Sequence, residues 1–408
     1  MKVEVQSRHL VKPATATPSH LRRYKISMID DLNPPMHVIR ILYYPPHSPT
    51  LNLQPPLSQI LPSFYPLAGR YLKPLHAVDC NDAGALYSST HTSAPSSPTP
   101  PSPPPASTPS SPSTSPPPTA PTTPCWPSRS TPSSAAASPS PSAPRTGSST
   151  HAPSPSLFPS ESAAPLDFGV GERRIVGKRI VFDKKAISTL RARANSDPGL
   201  EGVTLSRVVV VSAALTQALL RADEARHAGG STMLHTQTAR ATLIAHAINV
   251  RERTVPPVPK HACGTWVSIS HVELGAAERR EAARDFPKLA REMREATVRG
   301  IKDCARILSE KEFGRWALVD SYAEIAEKGL IREGYKVIYE TDWSKFGDYE
   351  LDFGCGKAIW VSLADVPLED LMILMNTREN DGIEAWVYLD ESDMAYFEKD
   401  QHIQMLLA

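Results

Sequence analysis

Residues 3–5, Val-Glu-Val, alternate with the period of a strand, and residues 38–44 form a β-branched and aromatic run that ends at Pro45-Pro46. Residues 57–61 read as the end of a short helix stopped by Pro62, and 76–87 as a hairpin with turn residues Asn81, Asp82 and Gly84. Further on, 174–182 is a strand and 184–194 a helix with Ile187, Leu190 and Ala194 on one face. A stronger helix runs over 206–221. Strands follow at 242–250 and 265–271, then a helix over 276–308 whose charges, from Glu278 to Lys302, make a solvated face. The last third is strand-rich, at 335–339, 349–353, 358–362, 371–375 and 383–389, and a helix over 394–407 closes it. Strands and helices mix without a regular β-α-β order, so the pattern predicts an α+β fold in two layered domains with mixed sheets.

One stretch breaks this pattern. Residues 91–165 hold 23 of the 41 prolines and 22 serines, with only Arg129, Arg145 and Glu161 charged. The rest of the chain has ordinary proline and charge content. Such a segment cannot supply a core and is expected to be disordered, which would disrupt the N-terminal domain. The expected division is therefore 1–90 as the first part of an N-terminal domain, 91–165 as low complexity, 166–200 as the end of that domain and crossover, and 201–408 as the C-terminal domain.

With 44 Lys+Arg against 43 Asp+Glu, the 408-residue chain carries a net charge of +1, and its basic residues are dispersed. Neither balance nor patterning points to nucleic acid. The five cysteines, at 80, 125, 263, 304 and 355, are odd in number and far apart, with no C-x-x-C or clustered histidine to hold zinc. They read as reduced thiols. The first residues lack an apolar stretch of the secretory kind, and the run 208–220 is broken by Ser212, Thr216 and Gln217, so a cytoplasmic protein without a membrane span is expected.

Phe64-Tyr-Pro-Leu-Ala-Gly-Arg70 is followed by Asn81-Asp-Ala-Gly-Ala-Leu86, and far downstream stands Trp343-Ser-Lys-Phe-Gly-Asp-Tyr-Glu-Leu-Asp-Phe-Gly-Cys-Gly-Lys-Ala-Ile-Trp360. Between them lie Asn249-Val-Arg251, Pro256-Pro-Val-Pro259 and Gly264, and after them Asp381-Gly-Ile-Glu-Ala-Trp-Val387. In this order the strings resemble the BAHD family of plant acyl-CoA-dependent acyltransferases. The opening His9-Leu-Val-Lys-Pro13 and Leu21 to Asp30 resemble its vinorine synthase-like branch. The resemblance covers about 1–90 and 166–408.

That resemblance implies two chloramphenicol-acetyltransferase-like domains with a channel between them, and acyl-CoA as co-substrate with no bound cofactor or metal. It further implies a small-molecule alcohol or amine acceptor from plant specialised metabolism, and a monomer. A general base would take the acceptor proton while donors hold the tetrahedral oxyanion. By resemblance, Thr341 and Trp343 match a Thr-x-Trp that lines the acceptor side. Asp352, Phe353, Gly354, Cys355 and Gly356 match a structural Asp-Phe-Gly-Trp-Gly, with Cys355 in place of Trp. Its aspartate would pair with an arginine, for which Arg251 is the candidate, and Cys355 would be a small buried hydrophobe. Arg70 closes a structural loop, and Asp167-Phe-Gly-Val-Gly171 is a chance second match.

The family's base is the histidine of His-x-x-x-Asp, and none of the thirteen histidines here has Asp four residues on. The motif belongs between Arg70 and Arg174, where only His76, His91 and His151 stand. His76 has Asp79 at the wrong spacing, and the other two have proline-rich flanks that cannot form the required strand. The catalytic residue is therefore unknown. His235, His246, His261 and His271 lack a carboxylate at motif spacing and read as satisfied structural imidazoles. Three accounts of 91–165 remain: a true insertion with PxxP strings, a degenerate non-catalytic paralogue that binds CoA or a partner protein, and a shifted reading frame in a GC-rich gene. Composition favours the third, because the segment replaces the motif rather than lengthening the chain beside it.

Overall fold

The computed structural model describes residues 2–27, 30, 38–45, 51–93, 174–228, 241–259, 262, 264–328, 335–364, 366 and 368–407. The expectations for 94–165 and for Asp167-Phe-Gly-Val-Gly171 fall outside these residues, as do those for His151, His235, His261, Cys125 and Cys263.

Strands β1 (Lys2–Val11), β2 (Arg23–Lys25) and β3 (Arg40–Tyr43) precede helix α1 (Gln54–Ile60), which runs on into a 3-10 turn, Leu61–Ala68. Strands β4 (Arg70–Leu72), β5 (Ala77–Asp79) and β6 (Ala85–Ser93) follow. The next group is β7 (Ile175–Phe182), α2 (Lys184–Ala194), α3 (Arg207–Ala228), β8 (Ala241–Asn249) and β9 (Val267–Leu274). Then come α4 (Ala276–Ala282), α5 (Phe286–Ser309) and α6 (Lys311–Ala326). Strands β10 (Tyr335–Asp342), β11 (Trp360–Leu363), β12 (Leu371–Asn376) and β13 (Ile383–Asp390) and helices α7 (Glu391–Phe397) and α8 (Gln401–Leu407) complete the fold.

The α+β reading with mixed sheets holds. Six strands form one sheet in the order β7-β13-β12-β10-β8-β9. Its centre, β8-β10-β12, is parallel and its flanks are antiparallel. Alternate residues leave opposite faces of a strand. Ile338, Met372, Leu374, Ala385 and Val387 enter a core with α2, α3, α5 and α7, whereas Ile373, Met375 and Tyr388 enter a second core with Trp343, Tyr349 and Val361. Both faces are thus covered, which explains the nearly continuous apolar runs of these strands.

Helix starts follow from local caps. Asp183 accepts from the Ala186 amide to begin α2, which buries Ile187, Leu190 and Ala194. Asp285 caps α5 through the Lys288 amide, with Pro287 in the first turn. That second start divides the single helix expected over 276–308. Asp400 likewise accepts from Ile403 and divides the expected final helix.

Three other expectations are corrected. The low-complexity segment does not begin at residue 91: His91, whose flank was expected to form no strand, lies in β6 opposite Glu4 of β1, and the pairing continues to Ser93. Residues 76–87 are not a hairpin: β5 pairs with β2 and β4, while β6 pairs with β1. Residues 349–353 are not a strand. Gly347 is left-handed, Asp348–Glu350 forms a 3-10 turn, and only Asp352 bridges, to Lys357.

The first portion reaches the second core through β3, which pairs with β11 in a separate two-stranded sheet, with Arg40 opposite Leu363 and Tyr43 opposite Trp360. Tyr43 also stacks on Trp360, ring centres 4.7 Å apart. The Phe64–Arg70 string has a steric explanation. A side chain at Gly69 would meet Val78 Cγ1 at 2.5 Å, and Gly84, at φ +99°, lies against the Leu10–Val11 backbone. Arg70 locks the crossing by donating to the carbonyls of Gly69 (2.8 Å) and Gly84 (3.0 Å).

Candidate functional site

Strand β10 delivers two neighbouring side chains to opposite faces of the sheet, and two different polar clusters result. Thr341 belongs to the face carrying the Trp343 core. The Trp343 indole N–H donates to Thr341 Oγ1 at 3.0 Å, and its ring is 4% exposed. The Arg40 guanidinium sits 4.3 Å from the centre of that ring and 4.8 Å from that of Phe346, and its Nη1 is 2.7 Å from Asp348 Oδ1. Burial pushes the Arg40 pKa down and the Asp348 carboxyl up, so desolvation outweighs their mutual attraction for both partners. Next to this group, Tyr349 donates to Glu384 Oε1 at 3.1 Å, and Arg179 holds Glu384 Oε2 at 2.8 Å. Burial drives the Tyr349 phenol well above its usual range, so it stays a neutral donor.

The Asp352–Gly356 loop lies at the edge of the same region. Asp352 Oδ1 accepts from the amides of Gly354 (2.7 Å) and Gly356 (3.0 Å). These glycines have φ of +96° and +87°, which only glycine adopts readily. Asp352 is exposed, and its partner is the loop's own backbone. The pairing with Arg251 is therefore a misreading, since Arg251 donates to the carbonyls of Ala262 and Gly264. Cys355 is half-buried rather than buried, and Phe353 is 39% exposed, edge-on to Tyr44.

Glu340 belongs to the helix-covered face. Ser212 of α3 donates to Glu340 Oε1, and His246 Nδ1 lies 2.7 Å from Glu340 Oε2 without hydrogen-bond alignment. His246 thus has a carboxylate neighbour that its sequence spacing hides, and it is not fully satisfied, because its Nε2 is buried without a partner. The three residue types suggest nucleophilic catalysis, but the carboxylate stands between serine and imidazole, so His246 cannot take the Ser212 proton directly. His246 is 6% exposed and Ser212 1%, so the cluster is buried among the described residues. His271 Nε2 is 3.4 Å from Glu324 at the edge strand β9. Among the described residues, no group of three or more His, Cys, Asp or Glu could hold a metal, and no helix is long and apolar enough to cross a membrane.

An α+β framework with a mixed six-stranded sheet is the fold that the sequence strings led to expect, and those strings resemble a class of acyl-transferring enzymes. The Transferase family matches residues 1–94 and 127–404, and the chain belongs to this family, the BAHD acyl-CoA-dependent acyltransferases. A malonyltransferase of Salvia splendens, acting on pelargonidin 3-O-(6-caffeoylglucoside) 5-O-(6-O-malonylglucoside), is 29% identical over the whole of both chains. Vinorine synthase of Rauvolfia serpentina is 27% identical over 97% of this chain and 96% of its own. The crystal structure of vinorine synthase shares the fold, with a TM-score of 0.63 over 97% of this chain and 96% of that one, at 22% identity.

Proposed function

We propose that this protein is an acyltransferase that moves an acyl group from acyl-CoA to a hydroxyl or amine of a plant specialised metabolite, and that the 408-residue chain as it stands is impaired. The observation that carries the reading is the juxtaposition of Thr341 and Trp343 on the sheet face away from the main helical layer, in a chain matched to the family at both ends. In this reading Thr341 and Trp343 line the acceptor side, and the Thr341 hydroxyl donates to the developing oxyanion. Asp352, Phe353, Gly354, Cys355 and Gly356 form a supporting turn. The enzyme works as a cytoplasmic monomer, with 1–90 contributing to one domain and 201–408 to the other, whose sheet and core also take in β7 and α2.

Impairment follows from the missing base. No histidine carries the family's motif, and residues 91–165 stand where it belongs. A relative aligned over the full length of both chains supports replacement over insertion, and so supports the shifted-frame account. The test is to translate the coding DNA across 88–166 in the other two frames, restore the frame that yields His-x-x-x-Asp, and assay both proteins with acyl-CoA and a panel of alcohols and amines. Restoration is expected to raise transfer by about a thousandfold, the contribution of a placed general base. Absence of the motif from both frames refutes the frame account. Equal transfer by the two proteins refutes impairment, and CoA binding without turnover in both would make the protein a non-catalytic binder.

A further inference from the structure

We propose that Arg40 is the positioning residue that sets the donor geometry of the Thr341–Trp343 pair, an inference that rests on the acceptor-side reading above. Arg40 stands at the start of β3, a strand from the beginning of the chain held by β11. Its guanidinium lies against the rings of Trp343 and Phe346, which are 5.7 Å apart and tilted by 32°. Asp348 holds it from one side at 2.7 Å, and only 16% of the Arg40 side chain and 5% of that of Asp348 are exposed. Burial opposes both charges. A buried pair of this kind adds little to stability compared with apolar residues of the same size, so the arrangement calls for another role.

That role follows from what the indole does. A cation at the π face is drawn to the ring, fixes its tilt, and pulls electron density from it, which strengthens the indole N–H as a donor. The N–H is spent on Thr341 Oγ1, at 3.0 Å. A threonine hydroxyl has one hydrogen and two lone pairs. With one lone pair taken by the indole, the hydroxyl hydrogen turns away from Trp343 and becomes the donor for an acyl carbonyl. Arg40 thus reaches Thr341 through Trp343.

The test reads the pair directly. The chain is labelled with 15N-tryptophan, and the Trp343 indole resonance is assigned by Trp343→Phe. Arg40→Met is expected to move that resonance and to speed exchange of its hydrogen about tenfold, while the other five indoles stay in place. Arg40→Lys is expected to return it part-way. A folded Arg40→Met protein with an unmoved Trp343 resonance and unchanged exchange overturns the proposal. Should Arg40→Met fail to fold, Asp348→Asn keeps the guanidinium but frees its anchor. A smaller movement of the same resonance is then expected, and none at all overturns the proposal. Thr341→Val tests the acceptor-side reading separately, through transfer or, where transfer is absent, acceptor binding. Insensitivity there with a moved indole overturns that reading and supports the action of Arg40 on the pair. Sensitivity there with an unmoved indole overturns the role of Arg40 alone.

Discussion

The six-stranded sheet and the β1–β6 ribbon use similar residues to different ends. In the sheet, Ile373 and Leu374 leave opposite faces, and both are fully buried. In the ribbon, Leu10 and Leu86 face each other in register yet are 53% and 62% exposed, and Val5 is 50% exposed. The apolar cluster behind them has only Val11, Leu61 and Ala68 fully enclosed. A strand's apolar character thus stabilises nothing until a second layer covers it. Helices α2, α3 and α5 supply that layer for the sheet, and the ribbon lacks an equivalent among the described residues.

If that difference governs stability, substitutions in the two regions should separate widely. Phe182→Ala, at a fully buried site in the main core, should cost about 4 kcal/mol in urea unfolding. A cost below about 1 kcal/mol would mean that the core is loose. Lys336→Met comes next. Its ammonium lies among Asp370 at 3.0 Å, Asp223 at 3.5 Å and Asp393 at 3.6 Å, and its removal strands buried carboxylates, at about 3 kcal/mol.

Asp370 gives a pH signature to the same region. Burial pushes its carboxyl up to about 6, with Lys336 opposing. A raised carboxyl favours the folded state below its unfolded pKa near 3.8 and loses that contribution as pH rises through about 6. The stability of Asp370→Asn relative to the parent should therefore improve by about 2 kcal/mol between pH 4 and pH 7, measured by unfolding at fixed temperature. A flat difference would show that Lys336 already holds the carboxyl ionised.

At the exposed turn, Asp352→Ala removes one acceptor of two amide bonds and should lower stability by about 1 kcal/mol, a shift in melting temperature being the readout. The smallest effect belongs to the ribbon. Leu10→Ser with Leu86→Ser should alter stability by less than about 0.5 kcal/mol. A large loss would show that this face is covered in solution.

The same contrast explains what the sequence disclosed. The α2 helix and the strand before it were legible because their caps and apolar spacing are local, with Asp183 and Ile187 in one turn. Helix α6 was not anticipated, since Gly314 interrupts its pattern. The glycine is there for contact, because a side chain at that position would fall 1.7 Å from the Ile307 carbonyl oxygen. Residues 76–87 carried correct turn chemistry, but nothing in a turn says which sheet each strand will join. At the site, Thr341 and Trp343 could be named from their string, whereas Arg40, Glu384 and Arg179 come from distant strands and left no local sign. The His246–Glu340 contact was hidden for the same reason, being a cross-strand register match and not a spacing.

The pairing of β3 with β11 also sets an order of events during synthesis. Residues 40–43 leave the ribosome early, but their partners at 360–363 are among the last to be made, and the Arg40–Asp348 contact spans 308 positions. The early strand must wait, its edge unpaired, until nearly the whole chain has emerged. Closure of this long loop therefore comes late. A fragment that begins after residue 45 can build the large sheet and its helical layer, but it will leave β11 without a partner and Trp343 without its cation.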